Sequence, residues 1–395
     1  MERVQFQQEQ MLAELKDLVE KNIFTKQESK QVMKKRTQFE TALVRRVAKK
    51  ADFLRYAAYE MGLEQLRRKR VERLKIVSTQ ASISDYALVR RQFHIFERAL
   101  KKFKADVGLW VQYIDVAKRE GAHTLVGRVV ARAIQLHPDT PALYILAAAH
   151  ELDHGSPSAA RTLLQRGIRI NPESIEMWRE YVRMELAFME SLRRRWDVLG
   201  LDEKGKGREA LGEGEEAGEM HADQASEEAL ADGETGAAEA RAAIMRGGIV
   251  KSVIGSAASA VDRPELFEAL IGLMHEFPLT DAGVKRVLLE QVYGLLRAAC
   301  PRDPRAARLL AGRFLTGELV GEELVDGIER ANEEMLGLCG DGGEDMFGAY
   351  VEFAAEVWEG LMDSLLKEYV GSSVRGLQTR HPESVVLRDG LKRFV

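Results

Sequence analysis

The sequence predicts an all-α protein, a solenoid of antiparallel helix pairs with about 34 residues per unit. Two independent sets of residues recur at this interval: Trp110, Tyr144 and Trp178, and Arg98, Arg132 and Arg166. A period of this length is typical of repeats in which each unit is one helix pair. The segments between turn signals also lack the sustained two-residue alternation of β-strands. Both observations favour helices stacked in series.

Each unit reads as two helices. The first begins with an aromatic residue and continues with residues three and seven positions later, as in Trp178, Tyr181 and Glu185. These positions share one face of a helix. The second helix, such as 159–170, carries a small residue where it crosses its partner and ends before a proline, Pro172 in this unit.

The residues of this signature are predicted to be structural. The three glutamates among them are expected to form hydrogen bonds or ion pairs between paired helices. The signature comprises Phe53, Tyr56, Glu60, Trp110, Tyr113, Tyr144, Glu151, Trp178, Tyr181, Glu185, Pro138 and Pro172.

Four regions follow from these patterns: 1–80, 81–199, 200–240 and 241–395. The first is a basic helical region, and the second contains the regular repeats. The third is acidic, rich in Gly, Glu and Ala, and expected to be a disordered linker. The fourth contains degenerate helical repeats, in which Phe347 and Tyr350 repeat the aromatic spacing.

The opening helix carries an apolar stripe that something must cover. Met11, Leu15, Leu18, Val19 and Ile23 lie on one of its faces. We expect the following helices of this chain, rather than a partner chain, to cover that stripe.

Charge is segregated along the chain, although the net charge is only -4. Residues 1–110 contain 25 Lys and Arg against 14 Asp and Glu, whereas 200–240 contain 3 against 13. A basic amino-terminal region and acidic later regions are typical of proteins that assemble with other proteins or bind a polyanion.

Cysteine content and hydropathy exclude several classes of protein. The two cysteines, Cys300 and Cys339, are too few for a disulfide framework and are expected to be buried apolar residues in a reducing compartment. No apolar run approaches the roughly 18 residues of a membrane span, and the first residues do not resemble a signal peptide. We therefore expect neither secretion nor contact with a membrane.

The basic residues of the predicted amino-terminal helices form a candidate site for a polyanion or for nuclear import. The alternative is a solvated helix face. This basic cluster consists of Lys34, Lys35, Arg36, Arg45, Arg46, Lys49, Lys50, Arg67, Arg68, Lys69 and Arg70.

One motif resembles a zinc-binding helix. His150, Glu151 and His154 match the pattern H-E-x-x-H, in which two histidines bind zinc. The repeat already accounts for Glu151, the turn at 155–157 ends the helix, and no third ligand follows at the spacing of known zinc enzymes. The other six histidines are scattered. We predict no catalytic, cofactor-binding or metal-binding residue and no small-molecule substrate.

The repeats resemble the half-a-tetratricopeptide repeat, which is found mainly in RNA-processing complexes. Four amino-terminal segments indicate a particular family among proteins with such repeats: 16–25, 34–40, 52–60 and 63–67. Together they resemble the U3 small nucleolar RNA-associated protein 6 family.

This resemblance implies a non-catalytic scaffold of the nucleolar small-subunit processome. Its partners would be β-propeller (WD40) proteins, the U3 small nucleolar ribonucleoprotein and pre-ribosomal RNA, and its role the maturation of 18S ribosomal RNA. Three alternatives remain open: a direct RNA-binding repeat protein, a repeat scaffold in messenger-RNA splicing or 3′-end processing, and a zinc hydrolase.

Overall fold

A computed structural model describes residues 2–394, except 46, 48, 76–81, 200–241, 317–320, 340–342 and 361–363. Within these ranges every regular element is an α-helix or a short 3-10 helix, which confirms the predicted all-α class. None of these helices combines the length and the apolar character needed to span a membrane. The acidic segment 200–240 lies outside the described residues. The chain divides into two compact units, 1–155 and 156–395.

The first unit is a series of helices in which each packs on the next. Helices α2 to α7 contact one another in sequence order, and α1 packs on both α2 and α4. The helices are α1 Glu2–Glu20, α2 Lys26–Val44, α3 Lys50–Leu74, α4 Ile83–Lys102, α5 Val107–Arg119, α6 His123–Leu136 and α7 Pro141–Asp153.

The second unit follows the same principle. Its long helix α9 contacts α8, α10 and α11, and the central helix α15 contacts α13, α14, α16 and α17. The helices are α8 Pro157–Ile170, α9 Ile175–Leu199, α10 Gly248–Ala260, α11 Pro264–Glu276, α12 Ala282–Ala299, α13 Pro304–Gly312, α14 Glu322–Cys339, α15 Glu344–Gly360, α16 Ser364–Arg380 and α17 Val385–Gly390, with 3-10 turns at Arg313–Leu315 and Leu391–Phe394.

Local sequence sets the helix starts. Pro141, Pro157, Pro264 and Pro304 each occupy the first turn of a helix, where a missing N–H costs no hydrogen bond. Helix α2 begins with a capping box, in which the Thr25 side chain accepts from the backbone of the third helical residue. These four prolines therefore mark where helices begin.

A buried ion pair joins the second helix of one repeat to the first helix of the next. Arg36 on α2 donates two hydrogen bonds of 2.7 Å to the carboxylate of Glu60 on α3. Both side chains are completely buried. The same bidentate geometry joins Arg161 on α8 to Glu185 on α9, at 2.6 and 2.7 Å, and in both pairs the glutamate follows the arginine by 24 residues.

The middle repeat lacks this pair. Glu151 occupies the position equivalent to Glu185, but the residue 24 positions before it is Gly127. No ion pair among the described residues includes Glu151. A Cβ atom at position 127 would meet no atom within 4 Å.

The tryptophans hold the turns in front of their helices. The indole N–H of Trp178 donates to the backbone carbonyl of Pro172 at 2.8 Å, and that of Trp110 donates to Lys104 at 3.0 Å. In both cases the carbonyl lies six residues before the tryptophan. Both indoles are almost fully buried, so this hydrogen bond satisfies a donor that water could not reach.

The irregular amino-terminal repeat uses the same aromatic packing as the regular ones. Phe39 stacks on Tyr56 with ring centroids 5.1 Å apart, and Phe96 stacks on Tyr113 at 5.3 Å. The interplanar angles are 11° and 10°. The two aromatic pairs are 57 residues apart in the chain, whereas the regular repeats recur every 34 residues. The longer amino-terminal unit therefore keeps the same aromatic contact between its helices.

The burial of the opening helix and of the cysteines agrees with the sequence, but α1 ends at Glu20, so Ile23 is buried in the turn after the helix and not on its face. Met11, Leu15 and Leu18 are buried where α1 packs on α2 and α4. Cys300 and Cys339 are free and buried. Burial raises the pKa of the Cys339 thiol to about 11, so this thiol stays protonated at neutral pH.

The carboxy-terminal helices enclose a buried polar network. The Tyr350 hydroxyl donates to the side-chain oxygen of Asn332 at 2.7 Å, and the Asn332 amide donates to the Ser373 hydroxyl at 3.0 Å. Helix α17 closes this core at Gly390, whose backbone lies against Val351. A Cβ atom at position 390 would lie 2.5 Å from a methyl group of Val351.

We expect Glu60→Ala to lower the free energy of unfolding by about 3–5 kcal/mol, because Arg36 would remain buried without its counter-charge. The control is Arg55→Ala in the same helix, which removes an exposed ion pair with Asp52 and should cost less than about 1 kcal/mol. Urea unfolding followed by circular dichroism measures both. Equal costs would contradict the structural role of the buried pair.

We expect Gly390→Ala to destabilise the second unit by about 1–3 kcal/mol, because the added methyl group overlaps Val351. Gly376→Ala on α16 is the matched control, since its Cβ would meet no atom within 4 Å. That change should be neutral or stabilise by up to about 1 kcal/mol through helix propensity. Thermal unfolding of the two variants compares them, and equal shifts would exclude the close approach.

Candidate functional site

The basic cluster predicted from the sequence separates into two groups. Arg46 lies outside the described residues. Five of the others form ion pairs with carboxylates of the first unit: Arg36, Lys50, Arg67, Arg68 and Arg70. The remaining five are exposed and form no ion pair with a described carboxylate: Lys34, Lys35, Arg45, Lys49 and Lys69.

Arg36 is not part of an exposed surface, which corrects its place in the cluster. Its side chain is fully buried between α2 and α3, where Glu60 binds it and Glu14 approaches to 3.5 Å. Burial opposes the charged form, but the pairing with Glu60 outweighs it and raises the pKa of Arg36. The run Lys34-Lys35-Arg36 therefore contains two surface residues and one core residue.

Arg67 is likewise a buried structural residue. It donates two hydrogen bonds of 2.8 Å to Glu64, and Arg68 donates to the same carboxylate at 2.7 Å. The hydrogen bond to Glu64 is the largest influence raising the pKa of each arginine. Arg68 also pairs with Glu120 on the loop after α5. One buried carboxylate thus fixes two cations that the sequence assigns to a binding surface.

Arg70 and Lys50 also form contacts within the fold. Arg70 donates to Glu28 at 2.7 Å and to the backbone carbonyl of Ile23 at 2.9 Å, and its guanidinium lies 4.9 Å from the centre of the Phe24 ring. The hydrogen bond from Arg70 lowers the pKa of Glu28 to about 2. Lys50 pairs with Asp106, the cap of α5.

Two of the exposed lysines border a groove between α2 and α3 with a volume of about 530 Å³. We name it the lysine groove. Its lining combines cationic, apolar and aromatic side chains, among them Lys34, Lys35, Val32, Tyr59, Leu63 and Leu66. Leu66 is 38% exposed although it is large and apolar. The cationic and apolar residues of the groove are separate in the sequence, and the packing of α2 on α3 brings them together.

The second unit has a larger cavity, of about 840 Å³. Its cationic side chains already have partners: Arg308 pairs with Glu352 and Glu356 on α15, and Arg305 pairs with Glu265 on α11. The cavity therefore offers few unpaired charges to a ligand. The sequence does not single out any of these residues.

The H-E-x-x-H motif lies at the end of α7 and meets a third histidine. Helix α7 ends at Asp153, so His150 is in its last turn and His154 is its capping residue. His123, the first residue of α6, places its ring centre 4.4 Å from that of His154 and 6.1 Å from that of His150. We name these three residues the histidine cluster. His123 is one of the histidines that are scattered in the sequence, and the packing of α6 on α7 brings it next to the motif.

The environment of the histidine cluster is partly apolar. His150 is buried, whereas His123 and His154 are exposed. Burial is the largest influence lowering the pKa of His150, followed by the neighbouring His154 and Lys118. His150 is therefore largely neutral at physiological pH.

Comparison with known proteins matches two segments of the chain to family models. Residues 8–91 match the model described as U3 small nucleolar RNA-associated protein 6. Residues 141–184 match a tetratricopeptide repeat model. The first segment contains α2, α3 and the lysine groove, and the second contains Trp178 and Tyr181.

Three curated relatives share the amino-terminal half. The U3 small nucleolar RNA-associated protein 6 of Schizosaccharomyces pombe is 43% identical over 199 residues, which cover 50% of this chain and 41% of the relative. The homologues of that name in Mus musculus and Homo sapiens are 36% and 34% identical, each over 49% of this chain and 32% of their own length. The chain thus aligns with less than half the length of these relatives. The amino-terminal half of this chain is therefore similar to the U3 small nucleolar RNA-associated protein 6 family.

Proposed function

We propose that this protein is a non-catalytic scaffold that associates with the U3 small nucleolar ribonucleoprotein in the nucleolus. Its role would be the assembly of the small-subunit processome, and hence the processing of pre-18S ribosomal RNA and the formation of the 40S subunit. The observation that carries the proposal is the 34–43% identity to relatives named for U3 association. Contact with β-propeller proteins of the processome is part of the same proposal.

The use of the signature residues supports a scaffold rather than an enzyme. Glu60 and Glu185 each accept two hydrogen bonds from an arginine, so neither carboxylate is available as a general acid or base. Trp110 and Trp178 donate to backbone carbonyls of the turns. These interactions position helices, and the exposed surfaces of the helices remain for partners.

We infer that the lysine groove docks an acidic protein segment that also carries apolar side chains. Leu66 and the partly buried Leu63 offer apolar surface, and Lys34 and Lys35 supply unpaired positive charge beside it. Arginines bind phosphate best because of their planar geometry, but Arg36, Arg67 and Arg70 are instead paired with Glu60, Glu64 and Glu28. This distribution favours a protein partner over an RNA backbone.

Direct RNA binding is the second candidate, and the five exposed cations of the basic cluster are the observation in its favour. Such binding would depend steeply on salt, because each neutralised phosphate releases counterions. Nuclear import through Lys34, Lys35 and Lys69 would use the same exposed charges.

The test is affinity purification from cells of the intact tagged protein, with and without nuclease, followed by mass spectrometry and RNA sequencing. We expect the wild type to recover U3 RNA and processome proteins, with the protein partners resistant to nuclease. Recovery of splicing or 3′-end factors in place of U3 components would contradict the proposed function.

We expect Lys34→Glu/Lys35→Glu to reduce recovery of the groove's protein partner at least about tenfold, since it reverses both unpaired charges. Lys26→Glu/Lys30→Glu is the matched control, with the same charge change at exposed positions of the same helix. Equal losses in the two variants would refute a specific groove. Loss of all partners on nuclease treatment would instead establish RNA as the direct ligand.

A further inference from the structure

Three histidine rings converge at the junction of α6 and α7. The ring centres of His150 and His154 are 4.3 Å apart, and that of His123 is 4.4 Å from His154. One ring nitrogen from each residue lies within 4.8 Å of the others. Among the described residues, these are three ligand atoms of the same chemical type grouped closely enough to meet around one ion.

A backbone hydrogen bond sets the protonation pattern that a ligand needs. The Nδ1 atom of His154 lies 2.6 Å from the carbonyl oxygen of His150. A carbonyl only accepts, so Nδ1 carries the hydrogen and the lone pair is on Nε2. Orientation of a ligating histidine by a backbone carbonyl is the usual arrangement around metal ions in proteins.

We propose that the histidine cluster binds one Zn²⁺ ion through His123, His150 and His154. Neutral imidazole nitrogen favours borderline transition metals, whereas Mg²⁺ and Ca²⁺ prefer oxygen ligands. Three protein ligands leave a fourth tetrahedral position for water.

Modest side-chain rotation brings the nitrogens to coordination distance. Tetrahedral Zn²⁺ with Zn–N bonds of about 2.1 Å requires nitrogens about 3.4 Å apart, closer than the 4.8 Å that bounds the group here. The exposed His123 can turn, whereas the hydrogen bond to the His150 carbonyl orients His154 and burial fixes His150. The adjustment therefore involves an exposed side chain and leaves the helices in place.

Some of the surrounding charges favour a cation at the histidine cluster, and others oppose it. His150 and His154 lie at the carboxy-terminal end of α7, where the helix dipole favours a cation. The Glu151 carboxylate also favours positive charge at His150, whereas Lys118 opposes it. The amino-terminal end of α6, where His123 lies, opposes it as well. The ion must therefore be held by coordination bonds rather than by attraction alone.

Bound Zn²⁺ would cross-link the start of α6 to the end of α7 within the first unit. A ligand that binds only the folded state raises the free energy of unfolding, so the thermal midpoint should increase with Zn²⁺ concentration. This inference rests on the geometry of two helices and does not depend on the proposed function.

The experiment is calorimetric titration of Zn²⁺ into the full chain, prepared free of metal and of any histidine tag. We expect one equivalent per chain, with affinity reduced at least about tenfold by His123→Asn and by His154→Asn. Both changes are at exposed positions, which protects the fold. His275→Asn, at an exposed histidine outside the cluster, should leave the affinity unchanged.

Substitution with Co²⁺ gives an independent readout, because nitrogen ligands in tetrahedral geometry produce visible absorption. The wild type and His275→Asn should develop these bands and the thermal stabilisation, and the two cluster variants should lose both. Absence of a saturable equivalent in the wild type, or equal titrations of the wild type and both cluster variants, would overturn the proposal. Competition by excess Mg²⁺ would also overturn it, because it would point to oxygen ligands.

Discussion

The arginine–glutamate pair is the interaction that fixes how α2 packs on α3 and how α8 packs on α9. A guanidinium removed from water requires a counter-charge in one geometry, and Glu60 supplies it to Arg36 through two parallel hydrogen bonds. Apolar side chains tolerate sliding of one helix over another, but this pair does not. Its recurrence as Arg161 and Glu185 fixes the same helix register in the second unit.

This constraint explains why the basic amino-terminal region of the chain is not a uniform basic surface. Arg36, Arg67 and Arg70 are paired with Glu60, Glu64 and Glu28, so lysines carry much of the exposed charge of the basic cluster. Lysine is a flexible point charge, and arginine is a planar donor suited to buried carboxylates. The buried positions thus use arginine and most of the unpaired surface positions use lysine, although the two residue types are adjacent in the sequence.

The sequence was sufficient for the helices because their signal is periodic. The 34-residue interval, the aromatic positions and the prolines predict α5 to α9 closely, and the apolar stripe of α1 predicts its burial. It was insufficient for contacts made between helices. Arg36 stands beside Lys34 and Lys35 in the chain, and only its spacing from Glu60, matched by Arg161 and Glu185, indicates a different role. His123 precedes His150 by 27 residues, an interval with no counterpart in the neighbouring repeats, so nothing local associates them.

The tryptophan hydrogen bonds show which residue of the turn can be replaced without loss of the bond. The donor is a particular side chain, but the acceptor is a backbone carbonyl that any amino acid provides. Lys104 therefore takes the place that Pro172 holds in a later repeat, and the turn keeps its hydrogen bond. Substitution on the acceptor side therefore leaves the hydrogen bond intact. Repeats of this kind can thus lose their recognisable prolines while their architecture persists.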